Sequence, residues 1–311
     1  MKLSTPMLDS PLLRQSSGGV ISNGGRDGYE NIAWVFHPRG VDGGMEALHH
    51  KASSMRDDLG RRDGVVVAFS GGVDSTVVAA IAADALGDDA IACTAISETL
   101  PASELAGAKR VAAEIGILHE VVRFSELDDP NFVENDDRRC YHCRTMRLGR
   151  LFDFASERGI QTVCDGTNAS DPQAGHRPGL AAVEEVGAYS PLLQHGVTKP
   201  EVRQLARDLG LSVADKPSMA CLSSRIPTGI RVTASKLDRI ERAERLLRTW
   251  GFEQFRVRDH DGLARIEIGA DELTTALDSE FAEVADTYLR DLGFEHVSLD
   301  LRGYEMGSVS P

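Results

Sequence analysis

Three short stretches hold residue types that can do chemistry. In Ser70-Gly71-Gly72-Val73-Asp74-Ser75-Thr76, two glycines stand between an apolar, β-branched run (Val65-Val66-Val67-Ala68-Phe69) and an alanine-rich segment. A buried strand, a glycine turn and a helix N-terminus in that order make an anion site. The free N–H groups of the first helical turn and the positive end of the helix dipole point at whatever sits there. The glycines let the backbone come close, and Ser70, Ser75 and Thr76 add hydroxyl groups. The glycine-lysine signature of a Walker A loop is absent. The simpler reading is a tight strand-to-helix turn in which Asp74 merely favours the dipole.

The second stretch is Cys140-Tyr141-His142-Cys143, set among Arg138, Arg139, Arg144 and Arg147. Cys221 joins it from a turn-rich segment with Lys216 and Arg225 nearby. Neighbouring positive charge lowers a thiol pKa and keeps such cysteines ready to ionise. Spacing alone leaves three readings open. They are a zinc site completed by His142 or His176, a redox dithiol, or a 4Fe-4S cluster on three thiolates whose open iron suits a sulfur carrier. Cys93 and Cys164 fall inside apolar strand patterns and read as small core hydrophobes. The third stretch is Arg256-Val257-Arg258. The two arginines alternate with a valine on a strand, so both face one side, and their planar forks suit a phosphate. A solvated strand face held in ion pairs is the plainer alternative.

These stretches need elements to position them. From residue 63 the pattern alternates strand and helix: strand 65–69, helix 75–86, strand 90–95, helix 101–116, strand 118–124, helix 144–158, strand 162–165. That succession predicts an α/β fold with a doubly wound parallel sheet. Such sheets bind ligands beyond the carboxyl ends of their strands. The loop from Ser70 to Ser75, Ser97-Glu98, and Asp165-Gly166-Thr167-Asn168 should therefore meet. Thr198, Pro200 and Glu201 read as the start of a helix over 198–209, which Gly210 ends. After Pro227-Thr228-Gly229 the character changes to an amphipathic helix (235–250), strands at 255–258 and 264–268, a helix over 271–292 and a strand at 296–301. We expect three regions: a disordered leader at 1–44, a nucleotide domain at 45–229, and a small α+β substrate or oligomerisation domain at 230–311.

Composition narrows the classes. No apolar run approaches the length of a membrane span and no signal peptide is evident, which together suggest the cytoplasm. Five cysteines at irregular spacing do not make a secreted disulfide framework. With 34 basic against 48 acidic side chains the formal charge is −14, which repels a phosphate backbone and counts against a nucleic-acid partner. The abundance of aspartate and scarcity of lysine resemble the surfaces of salt-adapted proteins.

The glycine loop resembles the SGGxDS pyrophosphate loop of the ATP pyrophosphatases, or PP-loop enzymes, which activate an oxygen by adenylylation. Further segments follow in order: Asp165-Gly166-Thr167-Asn168, Arg177-Pro178-Gly179, Ser190-Pro191-Leu192, Asp215-Lys216-Pro217, Cys221-Leu222-x-Ser224-Arg225-Ile226-Pro227 and Arg256-Val257-Arg258-Asp259-His260. Together they resemble the LarE family of ATP-dependent sulfur transferases, over about residues 45–275. The resemblance implies that ATP adenylylates a carboxylate of pyridinium-3,5-biscarboxylic acid mononucleotide, with Mg2+, and that sulfur then displaces AMP. Two rounds give the bis-thiocarboxylate of the nickel-pincer cofactor of lactate racemase. On that reading Ser70, Gly71, Gly72, Asp74, Ser75, Ser97 and Gly166 bind ATP and its pyrophosphate. Arg256, Arg258 and Arg225 take the substrate phosphate, although Arg225 could instead support its own loop. Glu267 pairs with the arginines or holds Mg2+. Relatives with only the cysteine matching Cys221 sacrifice its sulfur, whereas relatives with two more cysteines carry a 4Fe-4S cluster. Cys140, Cys143 and Cys221 together imply the cluster form, fed by sulfide or another sulfur donor. The family also implies a homo-oligomer. A PP-loop tRNA thiolase, an ammonia-using synthetase of NAD or GMP, and a non-catalytic nucleotide-binding protein with a structural zinc are the alternatives.

Overall fold

A computed structural model describes residues 43–172, 178–218 and 220–304. Nearly all of the expected leader, together with His176, Arg177 and Met219, lies outside the described residues. Chain order gives α1 (Gly43–Leu59), β1 (Val65–Ala68), α2 (Val73–Leu86), β2 (Ala90–Ile96), α3 (Ala102–Ile115), β3 (Leu118–Arg123), α4 (Pro130–Glu134), α5 (Arg139–Ser156) and β4 (Thr162–Cys164). Then come α6 (Pro178–Val186), α7 (Pro191–Gln194), α8 (Lys199–Asp208), α9 (Ala234–Thr249), β5 (Phe255–His260), β6 (Leu263–Ile268), α10 (Leu273–Ala276), α11 (Ser279–Asp291) and β7 (His296–Leu299).

The first four strands form a parallel sheet in the order β3-β2-β1-β4. All seven residues of β2 are buried, as are Val65, Val66 and Val67 of β1, because helices cover both faces. The alanine-rich α2 is buried along most of its length, against α1 and α8 as well as the sheet. Cys93 and Cys164 are fully buried within this core, as their apolar setting predicts. The strand order fixes the site. The chain runs outward from β1 through β2 to β3, then crosses back to place β4 on the other side of β1. The crevice where the two directions part lies beyond the carboxyl ends of β1 and β4, between Ser70–Ser75 and Asp165–Asn168. Helix α8 begins as its sequence predicts, with Glu201 accepting from the Thr198 N–H at 2.7 Å.

The C-terminal region carries a second sheet in the order β5-β6-β7. Strands β5 and β6 form an antiparallel hairpin around Asp261-Gly262, both with positive φ (57° and 106°), the backbone a two-residue turn requires. Strand β7 returns parallel to β6 by way of α11. Phe252, Phe255, Phe281 and Phe294 fill the space between this sheet and helices α9 and α11. A smaller cluster of Phe132, Leu222, Ile226, Val232, Leu237 and Ile240 packs the segment after Cys221 onto α4 and α9.

Two elements differ from the sequence expectation. The helix expected at 144–158 starts five residues earlier, at Arg139, so Cys140 and Cys143 lie within the start of the helix and not in a preceding loop. Asp136 initiates it by accepting from the Arg138 N–H at 2.9 Å. The helix expected over 271–292 is broken. Asp278 caps a new helix by accepting from the Glu280 N–H, and Leu277 is left exposed at the break.

Candidate active site

The loop after β1 holds itself open by short-range bonds. The Ser75 hydroxyl accepts from the Ser70 N–H at 3.2 Å and donates to the Gly72 carbonyl at 3.2 Å. Gly71 has φ +66°, and a Cβ there would lie 2.7 Å from the Ala108 Cα, so only glycine fits. A Cβ on Gly166 would come within 2.9 Å of the Ser75 nitrogen, which explains the glycine after β4. The residue before α2 is Gly72, which has no side chain to cap the helix, so the backbone N–H groups at the start of α2 are left open to the crevice beside Asp74 and Ser75 of the first turn.

Charged groups ring this loop. Lys199 pairs with Asp74, which also accepts from Asn168 Nδ2 at 3.0 Å. Lys216 Nζ donates to the Gly71 carbonyl (3.2 Å) and to Glu104 (3.0 Å). Arg144 donates to the buried Asp165 at 2.8 Å, and Ser190 does so from the other side at 2.5 Å. The cations are partly exposed and within side-chain reach of the loop, where incoming phosphates can recruit them.

A cavity of about 360 Å³ opens beside the loop. Ser70, Asp74, Ser75 and Gly166 form one wall, and Cys140, Cys143 and Cys221 line the same cavity. Arg139, Arg144 and Arg147 contribute positive charge to it. The sequence-predicted loop and all three predicted cysteines are thus brought together. Cys140 is exposed, while Cys143 and Cys221 are half-buried. Burial pushes the Cys143 thiol up to about 12, against the opposing pull of Arg147. The Cys143 Sγ donates to Glu126 Oε1 at 3.4 Å, and Cys221 Sγ stands 3.1 Å from the Ser223 hydroxyl.

Several predicted residues stand elsewhere. Ser97 is turned into the bend after β2, where its hydroxyl meets that of Thr99 at 3.1 Å, and it does not line the cavity. Arg225 is fully buried and bidentate to Glu244 at 2.8 and 3.0 Å. Arg258 is bound twice to Glu267 Oε2, at 3.0 and 2.8 Å. Glu267 is fully enclosed between Arg258 and Arg265, away from the cavity wall. Arg256 is half-buried, donates to the Phe255 carbonyl at 2.6 Å, and lies over the Tyr304 ring at 5.0 Å. Burial and the nearby Arg225 lower its pKa, against the opposing pull of Glu244. Among the described residues no three His, Cys, Asp or Glu side chains are grouped to share one metal ion, and His142 turns toward Asp129.

Sequence reasoning missed the residues that gather the cysteines. Asn135, buried in the left-handed region at φ 59°, donates to the carbonyls of Pro227 (2.8 Å) and Ile230 (2.7 Å). Arg139 donates to the Ser223 carbonyl at 3.0 Å, and the Leu222 N–H donates to Thr99 O at 2.9 Å. These bonds tie the segment around Cys221 to the bend after β2, the end of α4 and the start of α5. Glu126, fully buried, accepts from the Thr99 hydroxyl at 2.9 Å and stands beneath Cys143. The signal for Asn135 was available: an asparagine followed by Asp136-Asp137 just before a helix.

The asparagine synthase family profile matches residues 52–140, which include the glycine loop. A protein of unassigned function from Synechocystis sp. is 41% identical over 264 residues, covering 85% of this chain and 98% of its own. The pyridinium-3,5-bisthiocarboxylic acid mononucleotide synthase of Lactiplantibacillus plantarum is 35% identical over 267 residues, covering 86% of this chain and 96% of its own. The chain belongs to the LarE family of ATP-dependent sulfur transferases. A more distant similarity, 32% over 204 residues, is to the tRNA-specific 2-thiouridylase of Caulobacter vibrioides, and it spans about half of each chain (52% and 53%). The LarE match thus covers a larger share of this chain than the thiouridylase match does. No helix among the described residues of this LarE-family chain is long and apolar enough to cross a membrane.

Proposed function

We propose that this protein adenylylates the carboxylates of pyridinium-3,5-biscarboxylic acid mononucleotide and exchanges them for thiocarboxylates. One observation carries the reading: three thiols and the pyrophosphate-type loop line one cavity. A carboxylate oxygen of the substrate attacks the α-phosphorus of ATP, and pyrophosphate leaves. The first turn of α2, with Ser70 and Ser75, holds the departing pyrophosphate as its charge develops, and Lys199 and Lys216 stand near enough to help. Hydrosulfide then attacks the acyl-adenylate carbon, and AMP leaves as the better leaving group. Mg2+ accompanies the phosphates. Asp74 stands on the cavity wall and is the carboxylate placed to share it, whereas Glu267 is committed to two guanidinium groups. Arg256 is the arginine we assign to the substrate phosphate, since no carboxylate bonds it among the described residues.

The donor set fits a 4Fe-4S cluster on Cys140, Cys143 and Cys221. Cys140 and Cys143 are one helical turn apart on α5 and line the cavity with Cys221, and each thiolate of a cube takes its own iron, so the three need not converge on one ion. Such a cluster would supply an open iron on which sulfide is held. On this reading residues 45–229 form the nucleotide-activating domain and residues 230–311 the smaller domain of a cytoplasmic homo-oligomer.

The test is anaerobic purification, iron and acid-labile sulfide analysis, and an assay of thiocarboxylate formation from the mononucleotide, ATP and sulfide. Iron-containing protein that turns over repeatedly with sulfide supports the reading. Iron-free protein in which Cys221 loses its sulfur after one turnover replaces the cluster with a sacrificial cysteine. Sulfur appearing in tRNA and not in the mononucleotide overturns the substrate assignment.

A further inference from the structure

Cys221 sits on a short turn, and beside the bonds from Arg139 and Thr99 a second set of bonds fixes this turn from the C-terminal layer. The Arg225 guanidinium, fully buried, spans two tasks. Its Nε and Nη2 grip Glu244 of α9, and its Nη1 donates to the carbonyls of Ala220 at 2.7 Å and Cys221 at 3.0 Å. Arg258 of β5 repeats the arrangement one step along. Its Nε and Nη2 bind Glu267 of β6, and its Nη1 donates to the Ser224 carbonyl at 3.0 Å. Glu244 also accepts from the Val257 N–H at 3.2 Å, and Glu267 accepts from Arg265 at 2.7 Å, so both carboxylates are themselves held. Three consecutive structural facts follow: the carbonyls of residues 220, 221 and 224 each end on a guanidinium, each guanidinium ends on a buried glutamate, and each glutamate belongs to the second sheet or the helix packed on it.

We propose that Arg225–Glu244 and Arg258–Glu267 are positioning pairs that set the backbone of the Cys221 turn, and that neither arginine is a phosphate ligand. A planar fork is suited to this work because it bonds a carboxylate on one edge while an outer nitrogen reaches a carbonyl. A lysine has no such second edge. A phosphate reaching Arg225 or Arg258 would have to displace a buried carboxylate from its guanidinium in the interior. Through these two pairs, neither of which touches the substrate, the small domain holds one cysteine of the three at the place where Cys140 and Cys143, fixed on α5, face the same cavity. The reaction assigned to that cavity is the reading given above, and the clamp rests on it for its purpose though not for its geometry.

Two variants, Glu244→Gln and Arg258→Lys, test it, with Cys221 alkylation by iodoacetamide in the iron-free protein followed by peptide mass spectrometry and Cys140 as the internal reference. Each variant loses one side of the clamp while keeping a polar group of similar size. The expected result is a rise of about fivefold or more in Cys221 labelling relative to Cys140, with kcat down about tenfold and KM for the mononucleotide within about twofold of wild type. A phosphate ligand behaves in the opposite way. If Arg258→Lys leaves the labelling ratio unchanged while KM rises about tenfold, the proposal is overturned. Should Glu244→Gln fail to fold, Arg258→Lys decides alone, because Glu267 keeps Arg265 as a counter-ion. The labelling ratio needs no turnover. A wild-type protein inactive on the mononucleotide would therefore remove the assigned substrate and leave the clamp to stand or fall on labelling.

Discussion

The ion pairs around the glycine loop and those behind the Cys221 turn are built from the same residue types, and their surroundings separate them. In the Lys216–Glu104 pair at the loop, the side chains are 26% and 15% exposed; in the Arg225–Glu244 pair the figures are 0% and 5%. Water can re-enter the first pair when it opens, so a phosphate can take the place of the carboxylate at small cost. The second pair cannot open without stranding a charge in the interior. Lys199 and Lys216, the cations bonded to the loop's own Asp74 and Gly71, are also flexible point charges that follow a moving phosphate, whereas the clamp uses arginine forks that hold a fixed geometry. Basic residues in a motif thus do two different jobs in one molecule, and burial of the counter-ion tells them apart.

Replacing Glu244 by alanine should be the harshest break of this comparison. It leaves Arg225 buried and unpaired, and we expect a loss of about 3–5 kcal/mol in urea unfolding. A loss under about 1 kcal/mol would show that the pair is as exchangeable as a surface one. Gly71→Ala comes next. The added methyl meets the Ala108 backbone in a residue at φ +66°, with an expected cost of about 1–3 kcal/mol. ATP-dependent pyrophosphate release should fall with it, because the loop must move away from Ala108 of α3 and so shift the pyrophosphate cradle. Full release with unchanged KM for ATP would show that the loop does not carry the phosphates. Lys216→Ala sharpens the other side: stability should change by less than about 1 kcal/mol, since the pair is partly exposed, while KM for ATP rises. A Lys216→Ala protein with wild-type affinity for ATP would make that lysine a structural partner of Glu104 alone.

The sequence made the loop side of the molecule legible and left the clamp hidden, for a physical reason. Strand, glycine turn and helix at residues 65–86 are local, as are the alternation that follows and the Thr198–Glu201 start of α8. Each depends on neighbours within a few positions. The partners of Arg225 and Arg258 are 19 and 9 residues away across a turn or a hairpin, and nothing in Arg256-Val257-Arg258 distinguishes a phosphate fork from a buried one. Alternation on β5 did predict that Arg256 and Arg258 share a face. It could not predict that Glu267 would close on one of them only. The early start of α5 was hidden because Arg138 to Arg144 shows no apolar periodicity, and the break at Leu277 because the apolar pattern continues through it.

The buried cysteines give the smallest effect, and they set a baseline for the reactive ones. Burial pushes the thiols of Cys93 and Cys164 up to about 12, from an ordinary value of 9.0. The folded state therefore holds its two protons more tightly than the unfolded chain does. That preference is fully present below about pH 9 and is lost as pH rises from there toward 12, because the unfolded chain ionises first. Between pH 7 and 9 the two thiols together should lower unfolding stability by less than about 1 kcal/mol, with a steeper fall above pH 9, measurable by urea titration at each pH. In the folded, iron-free protein at pH 8, a thiol-labelling reagent should modify the exposed Cys140 and leave Cys93 and Cys164 untouched. Labelling of Cys164 at the rate of Cys140 would mean that the strand beside the glycine loop opens far more readily than its burial implies. The walls of the crevice would then be no more fixed than the ion pairs that line it.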